Sequence, residues 1–337
     1  MTAAMLMTAP PPPATTQLLA LIDRQIAATG LDLSGLNVVT EAATGAYAAT
    51  AVVAARAGAR IVHALARDTQ SHGSAADAAR EVLSLATEAG VADRIRVVDG
   101  IAPGVLPECD ILTNSGHLRP ITAETIRLLP ARAAIGLMFE DWEFRDTDLD
   151  LAACRARGVK VAAVNERHPA VGVFPFLGPL CVLLLEEAGV DVASAEVALL
   201  CDNPFSPFIA AGLDKAGAQV RVFTDPLQVP DAGWTVVVVA LTPGARDRLD
   251  AADFAHLSRH APRALIAQFW GDIDRDAAHQ HGFAVWPPSP PRRGHMAILL
   301  NALGPEPIVR LQTGGLRAAE LAFRGGRSVG QGILQLM

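Results

Sequence analysis

Residues 36–68 read LNVVTEAATGAYAATAVVAARAGARIVHALARD. LNVVTEA is a short, apolar, partly β-branched run and predicts a buried strand. Thr44-Gly45 marks a tight turn. The Ala-rich segment after it predicts a helix. ARIVHALA predicts a second strand, closed by Asp68. A strand, a glycine turn and a helix opening on small residues form a cradle for a phosphate or nucleotide, because the first amide protons of the helix point at the ligand. Glu41, Thr44, Gly45 and Tyr47 are therefore candidate ligand contacts. An acid at the end of the second strand is placed to grip a ribose diol, which adds Asp68.

The same alternation runs outward from this stretch. QLLALIDRQIAAT, residues 17–29, has helical apolar spacing and stops before Gly30. Residues 72–90 predict a helix with Ser74 as its cap and Gly90 as its stop. Strands are expected at RIRVV (94–98), CDILTN (109–114), AAIGLMF (133–139) and VKVAAV (159–164), with helices at 122–129 and 149–158. A strongly apolar helix, FPFLGPLCVLLLEE (174–187), leads into a second block. Its strands are EVALL (196–200), QVRVFT (219–224), WTVVVVA (234–240), ALIAQF (264–269) and a short one at 283–286, with helices at 208–217 and 251–260. Helices at 297–303 and 316–323 close the chain, and Gln312-Thr313-Gly314-Gly315 reads as a turn before the last. Alternating strands and helices make parallel sheets covered on both faces. The fold class expected is α/β: two Rossmann-like, doubly wound parallel-sheet units with an interdomain cleft. Residues 1–14 form a disordered Pro-rich tail, 15–187 the first unit, and 188–337 the second with the C-terminal helices.

Composition narrows the function. A length of 337 residues suits two domains. No apolar run reaches the ~18 residues of a membrane span. The N-terminus lacks the basic start and apolar core of a signal peptide, so a cytoplasmic protein is expected. The net charge of -7 argues against a nucleic-acid partner. Cys109, Cys154, Cys181 and Cys201 lie in or beside apolar segments without paired spacing, which predicts buried free thiols and no metal. No GxxxxGK[ST], HExxH or GxSxG motif is present, against an NTPase, a zinc hydrolase or a serine hydrolase.

Polar runs follow the predicted strands, at the edge where such sheets bind ligands. Asp99 follows the third strand. Asn114-Ser115-Gly116-His117 follows the fourth, with His117 a candidate general acid or base. After the fifth, Glu140 and Glu143 flank Trp142; aromatic neighbours raise a carboxyl pKa and Arg145 lowers it, which suits acid–base chemistry or a substrate amine. After the sixth, Asn165-Glu166-Arg167-His168-Pro169 offers an acid–base pair in Glu166 and His168, and in Arg167 a planar fork for a carboxylate or phosphate. In the second block Asp202, Asn203 and Ser206 are candidate side-chain ligands, although a filled turn that only packs is the stronger reading. Trp270, Asp272 and His295 are expected near the cleft, and Arg292-Arg293-Gly294-His295 reads either as a source of cations for an anionic ligand or as a Pro-rich surface loop.

Residues 122–185 resemble the D-2-hydroxyacid dehydrogenase superfamily where its first domain hands over to its second: ITAETIRLLPARAAIGLMF, DTDLDLAACRARGVKVAAVN, then a long apolar helix. EVALLCDNPFSPFIAAGLDKAGAQVRVFTD takes the place of that family's NAD-binding strand-turn-helix-strand, with Asp225 where the ribose-binding acid would stand. Here the glycine fingerprint reads CDNPFSPF, without a glycine, and no arginine occurs at 269–271, where the family's catalytic one would fall. The first half, through VVTEAATGAY, GARIVHALARD, GVADRIRVVDG and CDILTNS, is similar to the core of class I S-adenosylmethionine-dependent methyltransferases. That resemblance implies a methionine-binding turn at Thr44-Gly45-Ala46, a ribose acid at Asp68 and an adenine-side acid at Asp99.

The function these resemblances imply is an NAD- or NADP-dependent oxidoreductase acting on a small carboxylate-bearing metabolite. His117, His168 or His295 would move a proton, and Arg167, Arg145 or Arg119 would hold the carboxylate. The alternatives are an S-adenosylmethionine- or S-adenosylhomocysteine-binding enzyme and a catalytically inactive scaffold or dimerising protein. A homodimer could bury the apolar helix at 174–185.

Overall fold

The computed structural model describes residues 15–69, 73–102, 104–327 and 332–337. The Pro-rich tail expected at 1–14, and the start of the helix expected at 72, lie outside the described residues. The chain divides into two compact units, residues up to 173 together with 304–337, and residues 174–303. The sequence reading sets its boundary at 187/188 and assigns the C-terminal helices to the second unit; in the structure the chain returns to the first.

The first unit runs α1 (Thr15–Thr29), β1 (Asn37–Glu41), α2 (Ala49–Arg56), β2 (Ile61–Leu65), α3 (Ala75–Glu88), β3 (Ile95–Val98), β4 (Ile111–Thr113), α4 (Ala123–Leu128), β5 (Ala134–Gly136), α5 (Leu151–Arg157) and β6 (Lys160–Val164). Local chemistry sets the helix starts. Ser74 and Asp77 form a reciprocal capping box at α3, Thr122 caps α4 and Asp150 caps α5. β1 is buried along its whole length, as expected of a strand covered on both faces.

The second unit runs α6 (Leu177–Glu187), β7 (Glu196–Leu200), α7 (Ser206–Lys215), β8 (Gln219–Phe223), β9 (Val236–Ala240), α8 (Ala251–His260), β10 (Leu265–Trp270), α9 (Arg275–Gln280) and β11 (Val285–Trp286). Its sheet has the order β11-β10-β9-β7-β8 and is parallel throughout. This is the flavodoxin-like variant of double winding. α6 packs on α7 at a pair of glycines: a Cβ on Gly178 would stand 2.6 Å from the Gly212 Cα.

The chain then re-enters the first unit as α10 (Glu306–Phe323) and ends in β12 (Leu334–Leu336). The first sheet has the order β12-β6-β5-β4-β1-β2-β3. All its pairs are parallel except β12 on β6. The strand order reverses between β1 and β4, the crossover of the dinucleotide-binding form of the fold. Two expectations are corrected here. Gln312 to Gly315 is not a turn but the middle of α10. The glycines are there because the helix presses on the sheet: a Cβ on Gly314 would meet Val164 Cγ2 and Val171 Cγ1 at 2.9 Å, and one on Gly315 would overlap the Met138 sulfur. The helix expected at 297–303 is only a 3-10 turn at Leu300–Leu303.

Candidate functional site

At the β1/β4 crossover of the first unit the strands end in paired polar residues. Thr40 and Thr113 share a 2.8 Å hydrogen bond, and Thr113 and Ser115 a further one of 2.7 Å, all three buried. Glu41, at the end of β1, is 5% exposed. Loss of water pushes its carboxyl up to about 7, against the opposing charge of Arg119. Tyr47, from the turn after β1, is driven up to about 12 by burial and by Glu41. The loop after β4 is fitted to this acid. Gly116 has φ +46°, and a Cβ there would overlap Glu41 Oε2. The next residue, His117, bonds through Nε2 to the Leu65 carbonyl at the end of β2. A carbonyl only accepts, so Nε2 carries the proton and the tautomer is fixed.

Asn114 is 1% exposed. Its amide donates to the Gly136 carbonyl at 2.8 Å. Neither its Oδ1 nor its Nδ2 has a hydrogen-bond partner among the described residues, and the same holds for Gln312 Oε1 and Thr313 Oγ1 on α10. Buried orphan groups of this kind are satisfied by water or by a ligand. Gln312 lies on the stripe of α10 that carries Gly315 and Ala319, one turn nearer the helix start. Those two face Leu137 and Gly136, so Gln312 sits beyond the end of β5.

The glycine turn differs from an empty cradle. Gly45 has φ +62°, and its amide donates to Glu81 Oε2 on α3 at 2.6 Å. Thr44 precedes a 3-10 turn at Gly45–Ala48 without a side-chain cap. Asp68 stands at the end of β2 but accepts from the Ala75 amide at 2.8 Å, which ties it to the start of α3. Asp99 is exposed after β3.

The loops after β5 and β6 form a second polar group on the same edge. Glu140 is fully buried and saturated. Oε1 accepts from the Glu166 amide at 2.9 Å and from Arg167 Nε at 3.1 Å. Oε2 accepts from Trp142 Nε1 at 2.8 Å and pairs with Arg167 at 2.9 Å. Glu143 accepts from the Glu140 amide at 3.2 Å, and burial raises its carboxyl to about 7. Burial and the neighbouring acids Glu143 and Glu140 raise Glu166 well above the carboxylate range. Arg145 and Arg119 both reach Asp148, at 3.0 and 3.3 Å. His168 turns Nδ1 onto the Ala170 amide at 3.1 Å, and no Glu166–His168 bond occurs among the described residues. Arg167 is therefore committed to Glu140 in a two-pronged pair and is not poised as a clamp.

The second unit ends its strands differently. Asp202 accepts from the Thr242 amide at 2.8 Å and pairs with Arg248 at 2.8 Å. Asn203 bonds the Ala240 carbonyl at 2.8 Å and the Phe205 amide at 3.1 Å. Ser206 opens α7. Where a fingerprint glycine would admit a pyrophosphate, Phe205 packs on Trp270 and Phe174 with ring centroids at 5.0 and 5.2 Å. Asp225 accepts from the Leu227 amide at 2.9 Å. The Trp270 indole donates to the Gly294 carbonyl at 3.2 Å, Asp272 accepts from the Gly294 amide at 3.1 Å, and the His295 amide closes a turn on Arg292 at 2.9 Å. Arg293 pairs with Asp247.

Sequence reasoning missed Glu81 at the cradle and the orphans on α10. Glu81 is one exposed acid on an amphipathic helix, and Gln312 and Thr313 were hidden by the double glycine beside them. The four cysteines are buried and free. Among the described residues, no group of acids, histidines and cysteines could hold a metal ion, and no helix is long and apolar enough to cross a membrane.

No family model matches the chain, and no curated protein matches it in sequence. Solved structures do match. Dipicolinate synthase A from Bacillus halodurans aligns with a TM-score of 0.55 and 11% identity, covering 85% of this chain and 98% of that one. D-2-hydroxyisocaproate dehydrogenase aligns at 0.49 and 10%, covering 87% and 99%. The NAD-complexed D-isomer specific 2-hydroxyacid dehydrogenase from Lactobacillus delbrueckii ssp. bulgaricus aligns at 0.48 and 9%, covering 87% and 98%. At such identities the likeness is one of fold: the chain is structurally similar to D-2-hydroxyacid dehydrogenases and to dipicolinate synthase A, with two mostly parallel sheets of seven and five strands.

Proposed function

We propose that the chain is an oxidoreductase that seats NAD or NADP over the β1/β4 crossover of the first unit and acts on a small carboxylate-bearing metabolite. One observation carries the reading: a carboxyl that titrates near 7, Glu41, lies where the strand order reverses, with a tautomer-fixed imidazole, His117, in the loop beside it. Groups with such pKa values exchange protons efficiently at neutral pH. The nicotinamide would supply or take the hydride. Glu41 and His117 would hold and move the proton on the substrate oxygen. Arg167 is spent on Glu140, and Arg145 on Asp148. Arg119, which lies within electrostatic reach of Glu41 and is held by long contacts of 3.3 Å to Asp148 and 3.5 Å to the Gly116 carbonyl, is the cation left for the substrate carboxylate.

A second reading has its own support. Glu81, which accepts from the Gly45 amide, sets negative charge at the turn. That environment repels a pyrophosphate and suits the ammonium and sulfonium of S-adenosylmethionine. Calorimetric titration with NADH, NADPH and S-adenosylhomocysteine decides between them. Under the oxidoreductase reading NADH or NADPH binds, and Glu81→Gln tightens it by removing a repelling charge. Under the second reading S-adenosylhomocysteine binds, and the same substitution weakens it. Binding of none of the three leaves a scaffold that keeps only the fold.

A further inference from the structure

The opposite end of the first sheet holds a cavity that none of this uses. Crossovers in a doubly wound sheet carry a helix that covers one face. The crossover from β3 to β4, residues 99–110, has among its described residues only a 3-10 turn at Leu106–Glu108. The sheet face beneath it, where Val39 and His63 are register partners on β1 and β2, is left with a cavity of about 450 Å³. That lies within the range of small-molecule sites, roughly 300–1,000 Å³.

The lining divides by chemistry. Val39 and Cys109, both buried, and half-buried Val105 make an apolar floor. Arg60 and Glu108 bring opposite charges to the same cavity. The Asn37 side chain ties the two residues together: its Oδ1 accepts from Arg60 Nε at 2.9 Å, and its Nδ2 donates to the Glu108 main-chain carbonyl at 2.8 Å. One edge of the Arg60 guanidinium is thereby fixed, and its other edge has no partner among the described residues. Inside, His63 Nδ1 is buried without a hydrogen-bond partner among the described residues. Burial and Arg96 hold this imidazole below its ordinary range, so near neutral pH it is uncharged and can donate one proton from Nδ1. A cation and a neutral donor, an anion, and an apolar floor beside them match the three parts of one class of molecule.

We propose that this cavity binds a small α-amino acid as its zwitterion: carboxylate on Arg60 and His63, ammonium on the Glu108 carboxylate, aliphatic side chain over Val39, Val105 and Cys109. The site is independent of the cofactor reading above.

The test titrates the full-length protein with L-norleucine and two truncated analogues, hexanoate, which lacks the ammonium, and pentylamine, which lacks the carboxylate. Binding is read by calorimetry and by the His63 ring resonances in NMR. Norleucine is expected to saturate the protein and shift His63, with each analogue at least about tenfold weaker, as the loss of one charge-assisted pair implies. Arg60→Gln should weaken norleucine and leave pentylamine unchanged. Glu108→Gln should weaken norleucine and leave hexanoate unchanged. Both side chains are exposed, so the variants should keep the parent melting curve. Absence of saturable norleucine binding at millimolar concentration, equal binding of the analogues, or indifference to both substitutions would overturn the assignment.

Discussion

Both units are parallel sheets wound on two faces, yet they finish their strands in opposite ways. In the first, Glu41 at the end of β1 and Glu143 and Glu166 in the loops after β5 and β6 are buried acids held above the ordinary carboxyl range, and the Asn114 side-chain amide after β4 has no partner among the described residues. In the second, the loop after β7 fills the equivalent space with Phe205 and locks its polar residues into the ion pair and hydrogen bonds of Asp202 and Asn203. A ligand has to exchange its hydration for protein groups. Unmet polar groups offer that exchange, and a packed aromatic stack does not. The difference teaches that shared topology sets where a site can be, while the strand-end residues decide whether one is there.

The largest test of this contrast is Phe205→Ala. The side chain is 3% exposed, inside a stack with Phe174 and Trp270, and truncation of such a phenyl ring costs about 3–5 kcal/mol. Denaturant unfolding should show the loss. Cofactor titration should show no change beyond it; abolished binding in a variant that remains folded would move the site into the second unit and break the contrast.

The next concerns Glu41. Its folded pKa, about 7, lies above the ordinary value of 4.5. The unfolded chain therefore ionises first, and the stability contribution is present in full below pH 4.5 and lost as pH rises through 7. A shift of this size amounts to roughly 3 kcal/mol for a buried group. Urea midpoints of the parent should fall between pH 5 and pH 8. Glu41→Gln should fall less over the same range and be the more stable protein at pH 8. An identical slope in parent and variant would mean that Glu41 is ionised in the folded protein.

The smallest effect separates the two acids expected to hold a ribose. Asp68→Ala and Asp225→Ala each remove a bond to a backbone amide at the start of a helical turn, worth about 1 kcal/mol. Both should lower the melting temperature slightly. If the ligand seats in the first unit, only Asp68→Ala can weaken it as well. Weakening by Asp225→Ala alone reverses the order of the units.

Much of this architecture was legible in the residues, and the reasons are local. EVALL and WTVVVVA announce buried strands through their apolar runs, and Ser74, Thr122 and Asp150 mark helix starts through short-range capping. The polar runs at strand ends were legible for the same reason. What failed was non-local. Gly314 and Gly315 look like a turn until Val171 and Met138 are brought against them from far along the chain. β12 has three residues and owes its existence to β6. The commitments of Arg167 to Glu140 and of Gly45 to Glu81 span 27 and 36 positions, and no pattern of spacing carries them.

The re-entry of the chain as α10 bears on synthesis. Leu137, Met138 and Val164 are strand-end residues of the first sheet, made early, and the helix that covers them is made only after residue 303. While the intervening 130 residues emerge from the ribosome, that face of the nascent protein stays bare to water and to chaperones. The unit translated first is thus the last to be completed.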